Sequence, residues 1–150
     1  MRWRQRLNDR TERGASAVEF ALVAPLLILV LFGIATFGFL FAQDLALSNA
    51  ARQAARFAAV AGHTCDDVKA EAIAAAPLVD DLGADDITVS MDDGISAGCG
   101  SSTAEPCRES EDGASVAVDI TYEADVILPV PGLGSTRTLS SKGVFRCEFS

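Results

Sequence analysis

Four cysteines, Cys65, Cys99, Cys107 and Cys147, are the residues in this chain whose spacing most restricts their chemistry. Structural zinc takes close-spaced ligand pairs such as C-x-x-C. None occurs here, and the single histidine, His63, lies two residues before Cys65. An even cysteine count in an oxidising compartment reads instead as two disulfides. Three pairings are possible. The short separation favours Cys99–Cys107, which leaves Cys65–Cys147. Four acidic doublets, Asp66-Asp67, Asp80-Asp81, Asp85-Asp86 and Asp92-Asp93, suggest calcium, but none follows the EF-hand ligand order. They read as solvated surface. No G-x-S-x-G, H-E-x-x-H or phosphate-binding glycine loop is present. The chain is therefore expected to be no enzyme, to hold no metal or cofactor, and to act on no small-molecule substrate.

A second candidate lies near the N-terminus. Gly14 is followed by Ala15-Ser16-Ala17-Val18, then Glu19, then a run without any charge from Phe20 to Ala42. A carboxylate within an apolar membrane helix costs a few kcal/mol, about 2.5–3.5 at the helix centre. A plain anchor gains nothing from it. A processed anchor does. A peptidase cutting after Gly14 at the cytoplasmic face would give Ala15 a new α-ammonium and make Glu19 the fifth residue of the shortened chain. The ammonium of a neighbouring subunit could then neutralise Glu19 and fix the axial stagger between subunits. Glycine at the cut suits a protease that needs an extended, unhindered backbone.

The element that must carry these residues is a long helix. At ~1.5 Å per residue the uncharged run spans about 34 Å, against a bilayer core of about 30 Å. It exceeds the ~7–15 residues of a signal-peptide core, and Phe39-Leu40-Phe41-Ala42-Gln43 makes a poor cleavage site. Pro25, Gly33 and Gly38 are tolerated in membrane helices. Charge gives the direction. Residues 1–14 hold Arg2, Arg4, Arg6, Arg10 and Arg13 against Asp9 and Glu12, a net of +3. The rest holds 7 basic and 19 acidic side chains, a net of −12, and the two sum to the overall −9. Basic flanks stay in the cytoplasm, so the N-terminus is expected inside and the acidic remainder, with all four cysteines, outside. That remainder would repel phosphate, which argues against a nucleic-acid partner.

Beyond the run, Leu47, Ala50, Ala51, Ala54, Phe57, Ala58 and Ala61 recur at helical spacing. Alanine favours helix strongly. One continuous helix is expected from about Ala17 to Ala61, stopped by Gly62. Its alanine stripe would pack on the chain's own outer domain, with or without a neighbouring subunit.

Arg13-Gly14-Ala15-Ser16-Ala17-Val18-Glu19-Phe20-Ala21-Leu22-Val23-Ala24-Pro25-Leu26-Leu27 resembles the N-terminal signature of TadE-like proteins, minor pseudopilins of tight-adherence (Flp-type) pili. The likeness continues through Gly33-Ile34 and Phe37-Gly38 into Ser48-Asn49-Ala50-Ala51-Arg52-Gln53-Ala54-Ala55-Arg56-Phe57-Ala58-Ala59-Val60. Thr36 departs from it, standing where many members carry a second acidic residue. The resemblance implies a leader, Met1–Gly14, removed by a prepilin peptidase. It implies partnership with other pilins, the pilus assembly platform and the membrane, and a role in pilus assembly and cell adhesion. The rival reading is a bitopic membrane protein whose outer domain binds a ligand or wall polymer and never enters a fibre.

For the outer domain, 63–150, Thr64 followed by Cys65-Asp66-Asp67-Val68 reads as a helix cap with acids in the first turn. The short helix should end near Pro77. Ile87–Met91 alternates as a strand, followed by a turn at Asp92-Asp93-Gly94 and a loop through Gly113. Ala114–Ala124 alternates with Val116, Val118, Ile120 and Tyr122 on one face. Val126-Ile127-Leu128 leads into a turn at Pro129-Val130-Pro131-Gly132, and Leu139–Phe149 makes a last strand with Val144 and Phe145 apolar. The fold class is α+β: a long N-terminal transmembrane helix of pilin type, a short second helix and a small antiparallel sheet.

Overall fold

A computed structural model describes residues 3–91, 99, 101–108, 110, 113–126 and 135–148, with side chains from residue 14 onward. The expected turns at 92–94 and 129–132, much of the loop before Gly113, and Phe149 lie outside the described residues. The chain divides into two compact units, one through Gly38 and one from Phe39 onward.

The first unit is helical. Helix α1 runs Trp3–Ala58, 56 residues with Pro25 inside it. It starts earlier than the expected Ala17 because nothing in the preceding sequence breaks a helix: no proline occurs before Pro25 and no glycine before Gly14. Between Val18 and Phe37 the large apolar side chains are exposed, Leu22 at 76% and Ile34 at 70%.

The second unit begins with the rest of α1. That helix ends at Ala58, short of the expected Ala61. The Val60 amide reaches back only three residues, to the Phe57 carbonyl at 3.3 Å, and Gly62 turns the chain with φ 89°. Ala61 is exposed. His63 stacks on Phe57 with ring centroids 3.6 Å apart. Helix α2, Cys65–Ala74, starts on a capping box. The Thr64 hydroxyl accepts from the Asp67 amide at 3.3 Å, and the Asp67 carboxylate accepts from the Thr64 amide at 3.0 Å. Two otherwise orphaned donors are satisfied by side chains three residues away, which is why the sequence pattern locates this helix start so well.

After a 3-10 turn, Ala84–Asp86, come strands β1 (Ile87–Met91), β2 (Ser115–Asp125) and β3 (Thr136–Arg146). They form one antiparallel sheet in the order β1-β2-β3. Ile87, Val89 and Met91 share the inner face with Val116, Val118 and Ile120. Against that face pack Leu47, Ala50, Ala51, Ala54, Ala55 and Ala58 of α1, Ala59 just after it, and Val68 and Ala72 of α2. The fold is α+β as expected, and the alanine stripe finds its partner inside its own chain.

Strand β3 differs most from expectation. It begins and ends three residues earlier than Leu139–Phe149, and its apolar residues Val144 and Phe145 are not buried. Val144 stands opposite Ala117 and Phe145 opposite Val116, so they face opposite sides of the sheet, and both are exposed. The residue that seats β3 is Gly143, its one buried position. A Cβ there would overlap the Ala51 carbonyl and the Arg52 nitrogen of α1. Glycine inside a strand marks such a close backbone approach, and alanine on the helix side allows it.

The disulfides are Cys65–Cys99 and Cys107–Cys147, with Cα atoms 5.8 and 5.7 Å apart. This corrects the expected pairs Cys99–Cys107 and Cys65–Cys147. The Cys65 amide donates to the Ala104 carbonyl at 2.9 Å and the Asp66 amide to Ser102 at 3.1 Å. The segment carrying Cys99 is thereby laid across the first turn of α2. Cys107 is buried in the core, and Cys147 follows β3, where its amide bonds to Ala114 at 2.9 Å. Each bridge fastens the long β1–β2 connection to a different element instead of closing it on itself.

Candidate functional site

Gly14, Ala15 and Glu19 all lie within α1, where side chains four residues apart share a face. Ala15 and Glu19 therefore stand one above the other. All three residues are exposed, and no atom lies within 4 Å of where a Cβ on Gly14 would be. Among the described residues the Glu19 side chain makes no hydrogen bond or ion pair, and it is exposed. The same helix, through Gly14–Ala58, is long and apolar enough to cross a membrane, which fits a single-pass anchor.

The backbone at Gly14 is helical, not extended. A protease that takes an extended strand would first have to unwind a turn here. Glycine lowers that cost, since it disfavours helix by about 1 kcal/mol relative to alanine.

The four cysteines are in the second unit and serve it structurally. All are paired, and no group of three or more His, Cys, Asp or Glu able to hold a metal occurs among the described residues. The Asp67 carboxyl is held below its usual range, first by the Thr64 hydroxyl and then by the Thr64 amide. The Tyr122 phenol is pushed up by burial and then by the carboxylates of Asp125, Asp80, Asp81 and Asp86. Neither shift marks a reactive centre.

Two residues that pattern reading did not single out shape the second unit. Gly143 is one, and its only signal was an isolated glycine in a strand. Gln43 is the other. It follows the last residue of the uncharged run, is buried to 5% exposure, and donates its Nε2 to the Leu78 carbonyl at 3.4 Å. Its Oε1 is buried without a partner. The amide pins the turn after α2 to α1 just beyond the apolar stretch. A lone glutamine gives no sequence signal of that role.

No curated protein and no solved structure matches the chain. Residues 14–56 match the family model described as TadE-like protein. The match begins at the glycine of the candidate cut, takes in Glu19 and the exposed apolar stretch, and runs into the alanine stripe. Over that segment, less than a third of its length, the chain is similar to TadE-like proteins.

Proposed function

We propose that this chain is a membrane-anchored minor pilin of a tight-adherence pilus, cut after Gly14 by a prepilin peptidase and used in pilus assembly and surface adhesion. It is the peptidase's substrate and not itself an enzyme. The observation that carries the reading is the TadE-like match over a helix with exposed apolar side chains and an exposed carboxylate, Glu19, five residues after a glycine. Before the cut, the basic leader holds a net of +3 at the cytoplasmic face. After it, only the Ala15 ammonium and Glu19 remain to be neutralised, and each serves the other across a subunit contact. In low dielectric an unpaired carboxylate is costly, so the pair both permits and orients bundling of the stems.

The test is the N-terminal residue of the protein recovered from membranes and from sheared surface fibres. A chain beginning at Ala15 in both is the expected result. Full-length protein, a cut after Ala42, or absence from fibres would favour the bitopic alternative. Two variants separate the steps. Gly14→Val should leave full-length protein in the membrane. Glu19→Ala should still be cut but assemble poorly, and wild-type assembly of that variant would remove the charge-pair role.

A further inference from the structure

Among the described residues the outer strands β1 and β3 have no partner on their free sides, and the charges near the two differ in sign. Strand β3, at one edge, carries Arg137, Lys142 and Arg146 and no acid, Lys142 already pairing with Asp119 of β2 at 3.3 Å. Beneath it lies the stretch of α1 that adds exposed Arg52 and Arg56. The other edge is built by α2, the 3-10 turn and β1. Residues 65–91 hold seven acids against the single Lys69. Among the described residues no backbone hydrogen bond reaches the free side of β1 or of β3. Eleven residues of unpaired strand edge invite another strand.

We infer that copies of this chain associate head to tail, with β3 of one copy pairing with β1 of the next. Both strands run antiparallel to β2, so a copy displaced sideways presents its β1 parallel to β3. The register follows from the pairing already present. Ile87 stands opposite Ile120, and Ile120 opposite Ser141. Continued across the gap in the same register, the neighbour's Ile87 meets Ser141, and its Asp85 and Asp86 fall beside Leu139 and Ser140, between Arg137 and Lys142. A basic strand thus meets the acidic start of another. Opposite charge also specifies the arrangement, because β3 against β3 or β1 against β1 would bring like charges together. Unlike a two-fold contact, this one uses two different surfaces, so it propagates instead of closing at a pair. The inference rests on the proposed function only in that it needs several copies side by side in one membrane.

The experiment places a photocrosslinking phenylalanine analogue at Ser140, exposed on β3, in the full chain in its membrane. The leader is left intact, so the result does not depend on cleavage at Gly14. Irradiation should give dimers and a ladder of higher species, with the captured peptide lying within 83–91 of the neighbour. Arg137→Glu with Lys142→Glu on the probe-bearing copy should lower the yield at least five-fold, and so should Asp85→Lys on the receiving copy. Combining the two variants should restore most of it. Thiol labelling that finds both disulfides intact shows each variant folded. A ladder that is absent, or that maps to the neighbour's β3, overturns the inference. So does a yield that is unchanged in both variants or not restored in their mixture.

Discussion

Gly143→Ala adds a single methyl group, yet it should be among the most damaging small substitutions in the second unit. The new Cβ would occupy the space of the Ala51 carbonyl and the Arg52 nitrogen. Backbone cannot swing aside as a side chain does. Ordinary carbon contacts lie at about 3.5–4.0 Å, so helix and strand would have to part by roughly an ångström or more. That gap would loosen contacts along Ala51, Ala54, Ala55 and Ala58, all buried to 0–1% exposure. Overpacking typically costs about 1–3 kcal/mol, and a clash with backbone belongs at the top of that range. With a urea dependence of about 1–3 kcal/mol per molar, the unfolding midpoint should fall by at least about 1 M. Pulse proteolysis of the full chain in detergent, across a urea series, reads this directly. Val144→Ala next door, at a 53% exposed position, should change stability by no more than about 0.5 kcal/mol. Equal midpoints for the two variants would refute the claim that α1 and β3 touch backbone to backbone at Gly143.

Peptide mapping of the native protein under non-reducing conditions should recover Cys65 joined to Cys99 and Cys107 joined to Cys147, with no thiol open to alkylation. Cys147→Ser should free only Cys107, and a labelled Cys99 in that variant would contradict the pairing. A reporter fused after Ser150 should be active only if it works outside the cytoplasm, and cytoplasmic activity would reverse the orientation. Asp67 has a depressed carboxyl pKa in the fold, so its contribution to stability is present above the unfolded carboxylate range and is lost as pH falls through the folded value. Thr64→Ala removes the main cause of that depression and should flatten the acid limb of the stability profile. An unchanged acid limb would show that the cap does not hold the carboxylate.

What the sequence disclosed tracks the range of the forces involved. The bounds of β1 were legible because alternation is local. The start of α2 was legible because Thr64 and Asp67 form a box within one turn, and the end of α1 nearly so because Gly62 stands where the chain must turn. The TadE-like stem was legible as a contiguous pattern. What stayed hidden depends on segments far apart in sequence. The pairing of the cysteines is decided by the amides of Cys65 and Asp66 gripping residues 102–104. The bounds of β3 were misplaced because its only buried residue is a glycine, and a strand seated by an absent side chain shows no hydrophobic alternation. The surface opposite the alanine stripe could be identified only once Gly143 was seen beneath it.

The contact between Ala51 and Gly143, and the bond from the Glu148 amide to the Ala59 carbonyl at 3.1 Å, join the beginning of the second unit to its last strand and the residues just after it. If export proceeds from the membrane helix onward, the alanine face arrives first and waits for a cover made some ninety residues later. Such long-range closure is slow compared with local helix formation. During that interval the nascent domain presents a bare, close-packing helix face, a state open to misassembly and proteolysis. Completion of β3 is then the event that commits the domain to its fold. A chain interrupted before Gly143 would carry α1 yet have no finished second unit, its alanine stripe left uncovered.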